Sequence, residues 1–293
     1  MKIVKIYGGL GNQMFQYAFA KNLEKLTGDN VFIDTEWGNK NTIHNGYELD
    51  KLFPVNMKKA KNEDIERLST QPDSLKDKIR KKYFTKKTHY IDKVFRYNPE
   101  LYRLKGDIYF EGYWQSEKFF FESRNEIKQT FSFPEISGTE NKELINIIDG
   151  KTAAIHVRRG DYLKEKYLFV CDKNYYKNSI DILINKYGIT KLIIFSNDIV
   201  WCRENLNKRE LETIYCTWNS GADSWKDMAL ISLCPYIIIS NSSFSWWAAY
   251  LNKNPGKKIL CPEIWAIKNN NPFSYYKFDY KDVIQEDWEK VKL

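Results

Sequence analysis

From Lys151 onward the chain alternates short apolar runs with amphipathic stretches, and most of the runs end in a polar cluster. That rhythm constrains the fold more than any other feature of the 293 residues. Thr152–Val157 (TAAIHV), Lys191–Phe195, Thr213–Thr217, Tyr236–Ile239 and Lys258–Cys261 read as strands, mostly apolar and short enough to be buried. The stretches 174–187, 223–233 and 244–251 read as helices. In the first, Tyr176, Ile180, Leu183 and Tyr187 make one apolar stripe. Repeated strand–helix units predict parallel strands joined by right-handed crossovers. Such sheets hold ligands beyond the carboxyl ends of their strands. The clusters His156–Asp161, Ser196–Asp198 and Ser240–Ser245 stand in that position.

The first half opens the same way. Ile3–Tyr7 predicts a strand, Gly8-Gly9-Leu10-Gly11 a tight turn, and Asn12–Leu26 a helix stopped by Thr27-Gly28. Phe32–Asp34 predicts the next strand, and the lysine-rich segment 58–90 is expected to be helical. Pro134–Gly138 is the candidate boundary, which divides the chain into domains 1–140 and 141–293.

Composition removes several classes. No apolar run approaches the 18 or so residues of a membrane span, and MKIVKIYGG lacks the continuous apolar core of a signal peptide. Five cysteines, an odd count without C-x-x-C, indicate neither a disulfide framework nor a zinc ribbon and suit a cytoplasmic protein. The net charge of +8 fits an anionic ligand, a membrane surface or nucleic acid without choosing among them. Segment 76–87 (KDKIRKKYFTKK) mixes lysine with aspartate and aromatics. It reads as a solvated face or a candidate peripheral membrane patch rather than a nucleic-acid site.

Three motifs carry chemistry. Gly8-Gly9-Leu10-Gly11-Asn12 presents backbone N–H groups at a helix start, suited to an anion or a hydroxyl-rich ligand, or is a plain turn. It is neither G-x-G-x-x-G, since Met14 takes the third glycine position, nor a Walker loop. His156-Val157-Arg158-Arg159-Gly160-Asp161 puts two guanidinium forks at a strand end, where they match phosphate oxygens, or form a surface pair with Asp161. Asn241-Ser242-Ser243-Phe244 ends a strand and starts a helix; its polar groups can cap that helix or bind phosphate or sugar.

Taken in order, GGLGNQMFQYA (8–18), HVRRGDY (156–162), FSND (195–198), DMALISLC (227–234) and NSSFSWWAAYL (241–251) resemble the bacterial α-1,2-fucosyltransferases. The resemblance runs to about residue 265 and is poorest over 55–110. It implies a GT-B-like α/β fold, two Rossmann-like domains facing across a cleft. GDP-fucose would be held mainly by the C-terminal domain and the acceptor by the N-terminal one. It implies that Arg158 neutralises the donor diphosphate, that Arg159 and Asp161 orient it, and that His156 supports the loop. Asn197, Asn241, Ser242, Ser243 and Phe244 fall on the donor side. Asp227 stands where a carboxylate would accept from guanine N1–H and N2–H₂. Gly9, Gly11, Asn12 and Gln13 fall on the cleft and acceptor side.

The implied reaction moves L-fucose from GDP-fucose to the 2-hydroxyl of a terminal β-galactoside, on an oligosaccharide or glycolipid, with inversion. No D-x-D occurs, so arginine is expected in place of a metal, with no cofactor. For the general base, His156, Asp161 and the N-terminal half stay open. The expected location is the cytoplasm or the inner face of the membrane. The alternatives are a fucosyltransferase of other regiochemistry and a non-catalytic nucleotide- or sugar-binding protein.

Overall fold

The computed structural model describes residues 1–40, 43–70, 85–160, 162–164, 171–266 and 279–292. Asp161 and most of segment 76–87 lie outside them. Among the described residues ten strands form two parallel sheets. The chain falls into two units. The first is Met1–Ser132 with the described residues 279–283, and the second is 133–266 with 284–292.

In the first unit β1 (Lys2–Lys5), β2 (Val31–Asp34), β3 (His89–Ile91) and β4 (Ile108–Glu111) run in the order β2-β1-β4-β3. The Leu10–Thr27 helix starts at Gly9, in extended backbone, and ends at Gly28. Gly28 takes the left-handed conformation (φ 67°) and returns its N–H to Glu24 O. Phe15, Phe19 and Leu23 of this helix are buried, while Leu26 is exposed. Phe19 stacks on Trp114 at 4.2 Å, so a helix residue and a residue after β4 share the core.

Two expectations change here. The segment 58–90 is not helical throughout: Asn62–Leu68 is a helix, but His89–Ile91 is β3. The chain divides at Ser132/Phe133, and part of the C-terminal stretch belongs to the first unit. Asp282 explains the return. Its carboxylate accepts from Tyr97 N–H (3.2 Å) and pairs with Lys118 (2.6 Å), while its carbonyl accepts from Ser116 Oγ (2.7 Å).

The second unit orders β5 (Thr152–Val157), β6 (Lys191–Ser196), β7 (Glu212–Cys216), β8 (Tyr236–Ile238), β9 (Lys258–Pro262) and β10 (Glu289–Val291) as β10-β9-β8-β5-β6-β7. β5 is buried along its whole length because helices cover both faces. Ala153, Ile155 and Val157 pack with Tyr175, Tyr176, Ile180 and Leu183 of the 173–187 helical stretch. Ala154 and His156 point to the other face. Cutting Ile180, fully buried, to alanine would cost about 2–5 kcal/mol. The chain leaves β5 toward β6 and β7, then returns to β8 on the other side. The seam between β5 and β8 is therefore the switch point where such sheets bind ligands.

Candidate functional site

Two of the sequence motifs meet at this seam. His156, near the end of β5, places Nδ1 2.9 Å from Ser240 Oγ, just beyond β8, and stacks its ring on Phe244 at 5.3 Å. Ser242 caps the Ser243–Leu251 helix by accepting from Phe244 N–H (3.3 Å). That nine-residue helix thus presents its N-terminal N–H groups and the half-exposed Ser243 beside the end of β5. Asn241 is occupied within the protein. Its amide nitrogen donates to Trp265 O (3.0 Å), and Cys171 Sγ donates to its Oδ1 (3.6 Å).

The two arginines have different environments. Arg159 donates from Nε to Asp198 (3.2 Å) and lies 4.0 Å over the Trp201 ring. Its partner is Asp198 of the β6 loop, with Asp161 outside the described residues. Asn197 Oδ1 accepts from the Arg159 and Gly160 N–H groups (3.0 and 3.3 Å), which fixes the loop after β5. A side chain at Gly160 would stand 2.9 Å from Asn197 Nδ2, so it would push on the amide that holds this loop. Arg158 sits over Tyr162 at 5.8 Å, and the Tyr162 hydroxyl donates to Asn241 O (3.2 Å). The half-buried Arg158 therefore lies on a loop tied to both neighbours of β5.

Asp227 lies in the first turn of the Trp225–Ile231 helix, which packs on β5 and on the Ser243–Leu251 helix. Oδ1 accepts from Asn219 Nδ2 (2.8 Å) and from the Cys216 thiol (3.3 Å). Burial pushes the carboxyl up to about 6, and these two donors only partly offset it. Asn219 is held in turn by a reciprocal amide pair with the buried Asn141 (2.9 and 3.0 Å). Sequence reasoning missed both asparagines. No local pattern marks them, and the indole N–H of Trp218 also donates to Asn141 (2.6 Å).

The N-terminal residues fall on the first unit. Gly9 precedes the Leu10–Thr27 helix and Gly11 lies within it. Asn12 Oδ1 accepts from Gln115 Nε2 (2.7 Å). Gln13 is buried and tied to backbone, donating to Gly8 O and Gly46 O and accepting from Glu48 N–H. It fixes the turn. Gln16, unnoticed in the sequence, does the same by accepting from Tyr7 N–H (2.8 Å).

Chemically, one sheet edge offers a guanidinium, helix N–H groups and serine hydroxyls to an anion, and a buried carboxylate to a pair of N–H donors. No group of three or more His, Cys, Asp or Glu able to hold a metal occurs among the described residues.

Comparison with known proteins adds to this geometry. An Escherichia coli α-1,2-colitosyltransferase is 29% identical, covering 99% of this chain and 98% of its own. A Gorilla gorilla gorilla galactoside α-(1,2)-fucosyltransferase 2 is 26% identical, covering 86% of this chain and 69% of its own. Among solved structures, a mutant of Arabidopsis thaliana FUT1 in complex with GDP superposes with a TM-score of 0.48 at 13% identity, covering 89% of this chain and 69% of that one. The sequence pattern of glycosyl transferase family 11 matches residues 1–291, nearly the whole chain, and the protein belongs to that family.

Proposed function

We propose that this glycosyltransferase moves L-fucose from GDP-fucose to the 2-hydroxyl of a terminal β-galactoside, inverting the anomeric centre. The observation that carries the reading is the site on the second sheet. Arg158, the Ser242–Ser243 helix start and Asp227 lie on one carboxyl edge, as a guanine nucleotide with a diphosphate requires. The acceptor 2-hydroxyl oxygen attacks the anomeric carbon, the bond to the β-phosphate oxygen breaks, and GDP departs as the hydroxyl loses its proton. Positive charge grows on the sugar and negative charge on the diphosphate. Arg158 and the N–H groups of Phe244 and its neighbours stabilise the departing charge. Asp227 accepts from guanine through Oδ2, since its bonds to Asn219 and Cys216 both fall on Oδ1.

Arginine takes the part that a metal plays in other transferases, so the reaction proceeds without one. The five thiols, buried and unpaired, suit the reducing cytoplasm. The lysine-rich segment 76–87 would bring the enzyme to the inner membrane surface if its acceptor is lipid-linked.

A second donor has specific support. The two relatives share an α-1,2 linkage in their names but differ in the sugar, colitose or fucose. Colitose is L-fucose without its 3-hydroxyl, so a small change beside the sugar would select between them. The test is incubation with GDP-fucose or GDP-colitose and a panel of β-galactosides, followed by linkage analysis. An α-1,2-fucosylated product is expected. Transfer from GDP-colitose alone would replace the sugar, and another linkage would overturn the regiochemistry.

A further inference from the structure

Two buried polar side chains of the first unit adjoin one glycine. Asp92 follows β3 directly and is 5% exposed; Trp114, after β4, is 1% exposed. Oδ1 of Asp92 accepts from the N–H groups of Val94 and Phe95, each at 3.1 Å. Among the described residues, nothing bonds the buried Oδ2 of Asp92 or the buried indole Nε1 of Trp114. A folded interior rarely leaves a donor and an acceptor unpaired, because each gives up its hydration on burial.

Gly112 brings the two together. A Cβ at this position would stand 2.8 Å from Asp92 Cβ, and 2.7 and 2.9 Å from Trp114 Cζ2 and Cε2. Cε2 is covalently bonded to Nε1, so the indole N–H edge and the carboxyl-bearing side chain meet at the space that glycine leaves. The indole cannot swing away toward another partner. Phe19 stacks on it at 4.2 Å, and Phe119 and Phe110 make T-shaped contacts at 5.4 and 6.3 Å. Trp114 and Phe95 both adopt positive φ, 53° and 63°. Bulky residues keep that conformation only where their surroundings over-determine it.

The two unpaired groups differ in kind: Nε1–H only donates, and the Oδ2 of a carboxylate only accepts. A cation would repel the N–H dipole, an anion would repel the carboxylate, and an apolar group would satisfy neither. Water accepts from the first and donates to the second. We infer that a single internal water beside Gly112 accepts from Trp114 Nε1–H and donates to Asp92 Oδ2, bridging the strained connections after β3 and β4. This bridge steadies more than two loops. The connection after β3 also receives the returning C-terminal stretch: Asp279 N–H donates to Val94 O (3.0 Å), and Tyr97 N–H donates to Asp282 (3.2 Å). The water site does not depend on which sugar the enzyme transfers.

A crystal structure of the full chain, at a resolution that shows ordered waters, tests the site directly. The expected result is one density peak within about 2.7–3.2 Å of both Asp92 Oδ2 and Trp114 Nε1. No peak there, a peak bonded to only one of the two atoms, or a direct Asp92–Trp114 hydrogen bond overturns the bridge. Trp114→Phe keeps an aromatic ring in the core but removes the donor. Oxygen-17 relaxation dispersion in solution should then count one long-lived internal water fewer than in wild type, and an unchanged count also overturns the bridge. If Trp114→Phe does not fold, the wild-type crystal structure decides alone.

Discussion

His156 Nδ1 and Ser240 Oγ meet at 2.9 Å across the seam between β5 and β8, both side chains buried. This contact ties the arginine loop to the serine turn at the switch point. Ser240→Ala leaves a buried imidazole nitrogen facing a methyl group, at a cost of about 1–3 kcal/mol. A chain of this size loses about 2–4 °C of Tm for each kcal/mol. Calorimetry should show that fall, and kinetics a raised KM for GDP-fucose. An unchanged Tm would mean that the contact holds nothing together.

If Asp227 accepts from guanine as proposed, donor binding depends on pH. Its carboxyl is raised from 3.8 to about 6 by burial, and guanine N–H donors need the ionised form. Donor affinity should therefore rise as pH increases through about 6 and level off above it. The sign for folding is opposite. A raised carboxyl favours the folded state below its unfolded value near 3.8, and that benefit is lost as pH rises through about 6, amounting to about 3 kcal/mol. Asp227→Asn should thus be no less stable than wild type at pH 7.5, yet bind GDP more weakly by about 10- to 100-fold, since an amide turns one donor toward guanine. Wild-type GDP affinity in this variant would remove Asp227 from the nucleotide site.

Asn219 positions that carboxylate. Losing its donated hydrogen bond (2.8 Å) destabilises the ionised form, so Asn219→Ala should move the midpoint of the GDP-binding pH profile upward from about 6. Isothermal titration between pH 5 and 8 reads it. A purely structural loss would lower affinity equally at every pH.

On the proposed donor site Arg158 and helix N–H groups would meet the diphosphate charge, so excess chelator should leave turnover intact. Activity abolished by EDTA and restored by magnesium or manganese would show that arginine does not replace a metal.

Much of the second unit was legible because β5 and β6 are apolar runs buried on both faces, which no other element can absorb. β3 and β10 were not. Each is three residues long, HYI and EKV carry no apolar run, and both are edge strands. β4 (IYFE) hid in the stretch where family motifs are weakest. The arginine loop could be found from sequence, but the partner of Arg159 could not. Asp161 is nearby in sequence, whereas Asp198 arrives through the pairing of β5 with β6. Asn141 and Asn219 were invisible for a similar reason, since their amide pair joins residues 78 positions apart. Gln13 and Asn241 read as ligand contacts because polar groups at turns bind either ligand or backbone. Both donate to backbone carbonyls of the protein itself.

Steady-state kinetics of Arg158→Lys test the central claim most directly. Lysine keeps the charge but loses the fork that grips two phosphate oxygens. If that grip tightens as the diphosphate departs, kcat should fall about 10²–10³-fold while circular dichroism and Tm stay at wild-type values. Near-wild-type turnover by a folded Arg158→Lys enzyme would place Arg158 outside the reacting centre and contradict the donor site drawn around it.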